Sequence, residues 1–289
     1  MDPTTSPAPA SFRTLLASPG LIVAPGAYDG ITARLVERAG FPLVYMTGAG
    51  TAAARGFPDY GLLTMSEMVD TAAVIARSVS APVLADADTG YGNELNVTRT
   101  VREYEARGVA GIHLEDQVSP KRCGHLDGKD VVQRDRFVST IRAAVEARRS
   151  PDFVIVARTD ALATNGFSEA IERANAALEA GADVAFVEAL TSMEEVASVP
   201  KEVAGPCLLN VVPSGKTPVT DLRQAEDLGY KIAICPGLLL GATVVVGDAV
   251  LKSLAETGLH PSGGGPGTVG DMFKRFGAEE WDRLRERFA

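Results

Sequence analysis

Residues 96–116 read NVTRTVREYEARGVAGIHLED, and this stretch predicts a helix followed by a buried strand. In its first half, apolar residues such as Val97, Val101 and Tyr104 recur at the spacing of one helical face, while charged residues lie mostly outside it. The run Gly111–Glu115 is short and apolar, as expected for a strand that is buried in a parallel sheet. One helix-and-strand unit is therefore visible in a single stretch of sequence.

The same unit recurs at regular intervals along the chain. Eight short runs rich in apolar and β-branched residues alternate with longer segments of helical spacing; the runs are Leu21–Ala24, Leu43–Thr47, Val83–Asp86, Gly111–Glu115, Phe153–Ala157, Val184–Glu188, Cys207–Asn210 and Lys231–Cys235. Such alternation predicts an α/β protein folded as a (β/α)8 TIM barrel. The alternative is a doubly wound open sheet, which seldom needs eight evenly spaced strands and no second domain.

Glycine and proline separate the predicted elements in a regular way. Glycines in the position of a left-handed helix cap precede the even-numbered strands, at Gly40, Gly108, Gly181 and Gly229. Prolines lie near the start of strands three, five and seven, at Pro82, Pro151 and Pro206. This punctuation supports the count of eight strands.

The chain ends are predicted to differ from the barrel. Residues Met1–Ala10 are rich in proline, threonine and alanine, so we expect a frayed tail and no signal peptide there. We predict one barrel unit over residues 1–257, including this tail. Residues 258–289 are predicted to form a glycine-rich linker at 262–267 and a C-terminal helix at Ala278–Phe288.

Two apolar segments, the predicted C-terminal helix and the stretch after strand eight, lie near the end of the chain. Trp281, Leu284 and Phe288 share one side of the predicted C-terminal helix, and either the chain's own barrel or a neighbouring subunit would cover them. The longest apolar stretch, Pro236–Val246, is interrupted by glycine and is expected to be too short to span a bilayer.

Composition excludes several classes of partner. The 289 residues carry a formal net charge of −9 and no long basic run, which argues against nucleic acid and anionic membranes as partners. Three cysteines without the spacing of a disulfide framework indicate a reducing compartment, so we expect a cytoplasmic protein.

Polar residues end six successive predicted strands. They are Tyr45, Thr47 and Gly48 after strand two, Asp86, Asp88 and Thr89 after strand three, Glu115 and Asp116 after strand four, Arg158, Thr159 and Asp160 after strand five, Glu188 after strand six, and Asn210 after strand seven. Because the active site of a (β/α)8 barrel is built at the carboxyl ends of its strands, these side chains predict one highly charged cavity.

The carboxylates in that cavity need compensating positive charge. Asp86, Asp88 and Glu115 form an oxygen-only set that suits Mg²⁺ or Mn²⁺. Asp86 alone would be explained as a helix cap, but its combination with the other two favours the metal. Arg158 is available to a substrate carboxylate or phosphonate, as are Lys121 and Arg122. Whether Arg158 pairs with Glu188 structurally or contacts substrate stays open at this point.

Residues 121–125 read KRCGH and place a thiol among cationic side chains. Cationic neighbours favour a thiolate, so Cys123 is expected to lose or give a proton near neutral pH, although a surface thiol without function is the alternative. The other two cysteines, Cys207 and Cys235, lie within predicted strands and are interpreted as core residues. His113, in the middle of strand four, is interpreted as a packed and hydrogen-bonded residue.

Several stretches of the chain resemble one known family. They are Asp86–Asn93, Leu114–Gln117, Lys121–His125 and Ala157–Ala161, with further similarity at Pro58–Gly61 and Gly215–Pro218. On these residues the chain resembles the isocitrate lyase/phosphoenolpyruvate mutase superfamily from Gly26 to about Leu254. The resemblance implies a (β/α)8 barrel whose C-terminal helix swaps between the subunits of a homotetramer.

The resemblance also implies roles for individual residues of this sequence. It implies catalytic roles for Cys123, Tyr45, Asp59, Arg158 and His125, and an Mg²⁺ site, with Mn²⁺ as the alternative ion, at Asp86, Asp88 and Glu115. Substrate contacts are implied at Thr47, Gly48, Ala49, Lys121, Gly124, Glu188, Asn210 and Pro236, although relatives often have Ser-Gly-Gly where this chain has residues 47–49.

The implied reaction is the Mg²⁺-dependent cleavage of a carbon–carbon bond in a small, anionic 2-hydroxy acid. Loss of the hydroxyl proton to Tyr45, Asp59 or water would break the neighbouring bond and leave an enolate-like carbanion. Arg158 would stabilise that carbanion and Cys123 would protonate it as a general acid. A loop that carries the cysteine would close over the substrate and exclude water.

The branch of the family is less sharply defined by the sequence. Pro236 at the end of strand eight resembles 2-methylisocitrate and 2,3-dimethylmalate lyases, whereas oxaloacetate-cleaving relatives tend to carry serine there. Residues 121–129 also resemble carboxyphosphonoenolpyruvate mutase. Three alternatives stay open: phosphonate P–C bond chemistry, oxaloacetate decarboxylation, and non-catalytic binding of an organic acid. Cys123 and the carboxylates count against the last of these.

Overall fold

Eight parallel strands close into a barrel in the order β1-β2-β3-β4-β5-β6-β7-β8 in the computed structural model of the chain. The structure describes residues 8–213, 215–219, 221–261 and 267–289, with side chains from Phe12 onward. The strands are β1 (Ile22–Ala27), β2 (Val44–Met46), β3 (Val83–Asp86), β4 (Gly111–Glu115), β5 (Val154–Thr159), β6 (Val184–Val187), β7 (Cys207–Asn210) and β8 (Ile232–Cys235). The predicted (β/α)8 barrel is therefore confirmed.

A helix follows each strand, and the helices that follow the first seven strands cover the outside of the barrel in the expected way. The helices within the described residues are α1 (Ala8–Ala17), α2 (Gly30–Arg38), α3 (Gly48–Ala54), α4 (Met65–Ser78), α5 (Glu94–Ala106), α6 (Arg134–Ala147), α7 (Leu162–Asn165), α8 (Phe167–Glu179), α9 (Met193–Glu202), α10 (Leu222–Asp227), α11 (Leu238–Thr257), α12 (Val269–Lys274) and α13 (Ala278–Phe288). The short helices α3 and α7 are additions to the predicted pattern, inserted after β2 and β5.

Local chemistry explains where the elements begin and end. Helix α5 begins two residues before the predicted start, because Asn93 caps it by accepting from the backbone of Leu95 and Asn96. The four predicted cap glycines all have positive φ, between 81° and 102°, at Gly40, Gly108, Gly181 and Gly229. Strand β1 runs three residues beyond its predicted end because Gly26 and Ala27 pair with β2.

The N-terminal segment corrects one prediction. Residues 8–10, predicted to belong to a frayed tail, lie in helix α1; residues 1–7 lie outside the described residues. Phe12 of α1 is fully buried in the same apolar cluster as the barrel-lining Leu84 and Phe186. Since Phe12 also approaches Gly111 at the start of β4, α1 packs at the amino-terminal end of the strands, opposite the predicted site.

The chain divides into two compact units, one up to Leu239 and one from Leu240 to Ala289. The boundary predicted after residue 257 stays a prediction; most of α11, from Leu240 onward, is grouped with the C-terminal segment. No side chain of α11 is buried, although the helix is apolar; Val246, Val250 and Leu251 are 60%, 41% and 64% exposed. Of the predicted linker 262–267, only Gly267 is within the described residues.

Helix α11 is also longer than the apolar stretch seen in the sequence. Its length and its mean hydropathy of 1.8 make it the one helix among the described residues that meets the length and composition of a membrane span. The predicted C-terminal helix is confirmed as α13, and its Trp281 and Phe288 are 71% and 77% exposed. Both helices thus present apolar side chains that the described chain leaves uncovered.

Candidate active site

A cavity of about 150 Å³ opens at the carboxyl ends of the strands. Twelve of the predicted site residues line it: Tyr45, Thr47, Ala49, Asp59, Asp86, Cys123, Gly124, His125, Arg158, Glu188, Asn210 and Pro236. Val212 and Gly237 complete the lining and were not predicted. Four predicted residues lie outside it, namely Gly48, Asp88, Glu115 and Lys121. The cavity has room for a small acid, well below the volume of usual drug-sized pockets.

The segment that carries the cysteine, residues 118–130, is termed the thiol loop. Its two ends are joined, since Val118 N donates to Asp130 O at 2.9 Å. Gln117 holds the loop from below: its side chain donates to Arg122 O at 2.8 Å and accepts from Arg122 N at 3.0 Å. Cys123 N donates to Asp59 O at 3.1 Å. The loop is therefore fixed over the cavity by hydrogen bonds to its backbone.

Position 124 must be glycine, because its backbone lies very close to two side chains of the cavity. A Cβ at this position would lie 2.4 Å from Glu188 Cγ and 2.6 Å from Arg158 Nη2. Gly124 is not among the residues with positive φ, so its backbone conformation does not require glycine. Its function is to let the loop backbone lie directly against the cavity wall.

The predicted activation of the Cys123 thiol by cations is wrong. Burial raises the pKa of Cys123, Asp59 raises it further, and Arg158 only partly offsets these effects. The two cations next to it in sequence have other partners: Lys121 pairs with Asp88, and Arg122 lies over the Tyr60 ring at 5.8 Å. A half-buried thiol with a raised pKa stays protonated at neutral pH, which suits a proton donor better than a nucleophile.

Arg158 is the central cation of the cavity. Its guanidinium lies 2.9 Å from Glu115 Oε2, 2.9 Å from Asp160 Oδ2 and 3.7 Å from Glu188 Oε2. Burial would lower the pKa of Arg158, but the three carboxylates outweigh burial and raise it, so the group is a permanent charge. The predicted ion pair between Arg158 and Glu188 is present, and both side chains line the cavity; contact with substrate stays a prediction.

His125 is held as one neutral tautomer. Its Nδ1 accepts from the backbone N–H of Lys216 at 3.0 Å, so its ring proton must lie on Nε2. That proton points to Glu188 Oε1 at 3.2 Å. Burial lowers the pKa of His125, and the attraction of Glu188 does not reverse this effect. His125 therefore orients Glu188.

Asn210 is held beside His125 and Glu188. Its Nδ2 donates to Glu188 Oε2 at 3.2 Å. Its Oδ1 is buried without a hydrogen-bond partner among the described residues. Because Asn210 also lines the cavity, this oxygen is available to a hydroxyl or other donor on a bound ligand.

Tyr45 and His113 form a buried pair at the base of the cavity. Tyr45 Oη lies 2.8 Å from His113 Nε2, and the same nitrogen lies 3.5 Å from Asp86 Oδ1. The expectation that His113 is a packed, hydrogen-bonded residue is confirmed, since it is fully buried; its pKa is lowered to about 3, chiefly by burial. Burial raises the pKa of Tyr45 well above its usual value, helped by Asp86, so this phenol stays protonated.

The predicted metal carboxylates do not form a ready three-ligand cage. Among the described residues, no three His, Cys, Asp or Glu side chains are grouped closely enough to hold a metal directly. Lys121, predicted to bind substrate, places its ammonium 2.5 Å from Asp59 and 2.9 Å from Asp88. Glu115 instead faces Arg158. The structure thus places Lys121 among the carboxylates and not in the cavity lining.

The carboxylates nevertheless suit a hard divalent cation. Glu115 Oε1 is buried without a hydrogen-bond partner among the described residues, Glu115 Oε2 pairs with Arg158, and burial raises the pKa of Glu115 well above its usual value. Asp86 reaches the cavity, and Asp88 is held in a left-handed conformation with φ of 47°. Since Mg²⁺ often binds through one or two carboxylates and keeps several waters, the donor set fits this ion.

The structure also tests the interpretations of the two other cysteines and of Asp86 as a helix cap. Cys207 is buried in an apolar cluster, and Cys235 packs partly buried against the same cluster. Asp86 does not cap a helix; its Oδ1 accepts from Asp88 N at 2.9 Å. Gln117 and Lys129, which make polar contacts with the thiol loop, were not predicted as site residues. They lie in the stretches 114–117 and 121–129 that carry the family resemblance, but their contacts appear only once the loop is folded.

The family model of phosphoenolpyruvate phosphomutase matches residues 12–255 of the chain. Curated relatives include 2,3-dimethylmalate lyase of Eubacterium barkeri, 50% identical over 78% of this chain and 79% of the relative. Another is 2-methylisocitrate lyase of Aeropyrum pernix, 46% identical over 86% of this chain and 80% of the relative.

Solved structures of similar fold and sequence come from the same group of enzymes. A crystal structure of 2,3-dimethylmalate lyase is 43% identical, with a TM-score of 0.93 and coverage of 98% of this chain and 96% of that one. Oxaloacetate acetylhydrolase bound to 3,3-difluorooxalacetate is 40% identical, with a TM-score of 0.93 and coverage of 97% and 96%. Phosphonopyruvate hydrolase with oxalate and Mg²⁺ is 31% identical, with a TM-score of 0.86 and coverage of 98% and 99%.

Proposed function

Because the chain belongs to the phosphoenolpyruvate mutase/isocitrate lyase superfamily, and the curated relatives named above are lyases, we propose that it cleaves a carbon–carbon bond in a small 2-hydroxy acid of the 2-methylisocitrate or alkylmalate type. The observation that carries the proposal is that the Cys123 thiol, whose pKa is raised by burial, lines the same small cavity as the Arg158 guanidinium. A carbanion is stabilised by a nearby cation as it forms, and it needs a proton donor to become the product.

The cavity accounts for the type of substrate. Arg158 and the backbone at Thr47–Ala49 would hold carboxylate groups of the acid. Val212 and Pro236 give the lining an apolar side, which suits an alkyl substituent. The unpartnered Asn210 Oδ1 would accept a hydrogen bond from the acid.

Asp86, with Asp88 and Glu115 directly or through water, would hold Mg²⁺, or Mn²⁺ as the alternative ion. A bound divalent cation would lower the pKa of the substrate hydroxyl that it contacts. The chain's own contribution is to keep these carboxylates buried and close to Arg158 and Lys121, so that the cavity tolerates their charge.

The proton steps follow from the side-chain states. Tyr45 is protonated, so it would act as a hydrogen-bond donor, and Asp59 is the basic side chain of the two predicted candidates. Removal of the hydroxyl proton lets the C–O electrons form a ketone while the neighbouring C–C bond breaks. The electron pair passes into a carboxylate-stabilised carbanion beside Arg158. Transfer of the Cys123 thiol proton to carbon completes the second product.

A screen of acids tests this function. The Mg²⁺-supplemented protein is expected to release pyruvate from 2-methylisocitrate or 2,3-dimethylmalate with kcat/KM of about 10⁴ M⁻¹s⁻¹ or more, in the range of ordinary enzymes. Isocitrate, oxaloacetate and phosphonopyruvate are tested alongside, with glyoxylate, pyruvate, oxalate and phosphate measured. Release of phosphate alone would replace the proposal by P–C bond chemistry, and turnover of oxaloacetate alone would favour the activity of the oxaloacetate acetylhydrolase relative.

We propose further that the protein is a cytoplasmic homotetramer in which α11 packs on another copy. Helix α11 is apolar along one side yet has no buried side chain. A shared interface between subunits would cover it as well as a membrane would, and Asp248 and Lys252 inside the helix favour the interface.

Light scattering is expected to give about four times the chain mass of 30.3 kDa in detergent-free buffer. Leu254→Asp should lower that mass, because it places a charge in the apolar side of α11. Val245→Asp is the matched control: it lies nine residues earlier, on the opposite side of the helix near Asp248 and Lys252, and should keep the tetramer. A monomeric wild type, or protein recovered only with detergent, would contradict this assembly.

A further inference from the structure

We propose that Lys129 is a positioning residue that holds the thiol loop closed by tying the carbonyl of Gly124 to Asp160 at the end of β5. The three residues are termed the Lys129 latch. The inference rests on the proposed function, because it explains how the loop presents Cys123 and His125 to the cavity. Lys129 ends the stretch 121–129 that resembles carboxyphosphonoenolpyruvate mutase, but the sequence alone assigns it no role.

In the latch, the ammonium group of Lys129 joins the loop to the barrel wall. Lys129 Nζ donates to Gly124 O at 2.5 Å and to Asp160 Oδ1 at 2.8 Å. The Lys129 and Asp160 side chains are 1% and 0% exposed. An ammonium buried this fully is held in place, because any movement would leave a buried charge without its partner. The loop carbonyl therefore stays where Asp160 fixes it.

Asp160 is itself rigidly held. Its Oδ2 accepts from Arg158 Nε at 2.9 Å, and its backbone N–H donates to Asp116 Oδ1 at 2.8 Å. Burial alone would raise the pKa of Asp160, but Arg158 and Lys129 outweigh it and hold that pKa below its usual value. One carboxylate thus orients both the loop lysine and the cavity arginine. The latch couples loop closure to the position of Arg158.

The consequence for the cavity follows from Gly124. Its backbone lies so close to Glu188 and Arg158 that no Cβ fits, and it sits between Cys123 and His125. Release of the Gly124 carbonyl would let both neighbours withdraw from the cavity. The loop also has an ion pair at the surface, Asp127 with Lys216, in which Asp127 is 95% exposed. Solvent screens that pair, so it contributes little to closure.

The test compares Lys129→Met, which keeps the length of the side chain and removes its charge, with Asp127→Asn as the matched control. The rate of Cys123 alkylation by iodoacetamide is followed by peptide mass spectrometry, which separates this thiol from Cys207 and Cys235. Lys129→Met is expected to raise the rate about tenfold or more, because the open loop becomes populated. Asp127→Asn should stay within about twofold of the wild type.

Turnover gives a second readout. Lys129→Met is expected to lower kcat/KM about 100-fold on whichever acid the wild type cleaves, since a small displacement of a reacting group has an effect of this size. An alkylation rate within about twofold of the wild type would overturn the latch, whatever happens to turnover. Wild-type protein that cleaves none of the acids would overturn the proposed function alone, because alkylation still reports on the loop.

A double-mutant cycle keeps the inference testable if Lys129→Met folds poorly. Lys129→Gln and Asp160→Asn each remove one half of the ion pair with a polar side chain of similar shape. The double variant is expected to be alkylated no faster than the faster of the two single variants, because both act on one contact. Additive increases in rate would show that the two residues act separately and would overturn the latch.

Discussion

Cys123→Ser is expected to lower kcat by about 10²- to 10⁴-fold, the usual contribution of a general acid, while affinity for a product analogue stays nearly unchanged. The reason is that a serine hydroxyl is a far weaker acid than a thiol of similar size, so it occupies the site without supplying the proton. The raised pKa of Cys123 strengthens this expectation, because the wild-type thiol is fully protonated at neutral pH.

The measurement is steady-state turnover combined with calorimetry of oxalate or a similar dianion. Cys235→Ser is the matched control, because Cys235 is also half-buried at a strand end but does not line the cavity. It should keep wild-type kcat within about twofold, as expected of a substitution away from the reacting groups. Full activity of Cys123→Ser would remove the general-acid role of the thiol.

Removal of divalent metal is expected to lower turnover by about 10³-fold or more, the scale of losing several kcal/mol of charge stabilisation. Without a divalent cation, the buried Glu115 Oε1 keeps no hydrogen-bond partner among the described residues, and the substrate hydroxyl keeps its ordinary acidity. Dialysis against EDTA followed by addition of Mg²⁺ or Mn²⁺ should restore the rate.

Thermal unfolding gives an independent readout of the same site. The wild-type Tm is expected to rise when Mg²⁺ is added, because a ligand that binds only the folded state stabilises it. Asp86→Asn should lose most of that rise, whereas Asp70→Asn, at an exposed position on α4, should keep it. Undiminished turnover in excess EDTA would contradict the metal site.

Much of the fold was predictable because its signals are local. The alternation of apolar runs with segments like 96–107, and glycines such as Gly108 and Gly181, depend on residues close together in sequence. Helix α1 was missed at Ala8–Ala10, since a Pro- and Ala-rich end carries little periodic signal and Phe12 is buried only by distant strands. Polar strand ends located the cavity, because parallel strands place their carboxyl ends on one face.

The charge states of the site were not predictable from the sequence. Lys121 was placed near substrate because it neighbours Cys123, yet its partner Asp59 lies 62 positions away in the chain. With Lys121 drawn to the carboxylates, burial and Asp59 control the thiol, which reverses the direction expected for its pKa. The contact between Lys129 and Asp160 spans 31 positions and is likewise visible only in the folded chain.

In the proposed reaction, cleavage of a C–C bond gives a carbanion, which then takes a proton. Cleavage in D₂O, followed by ¹H NMR, tests it most directly. With 2-methylisocitrate or 2,3-dimethylmalate as substrate, we expect pyruvate in equal amount with a second carboxylic acid that carries one deuterium at the carbon released from the broken bond. A second product with no deuterium, or no pyruvate from any of these acids, would contradict it.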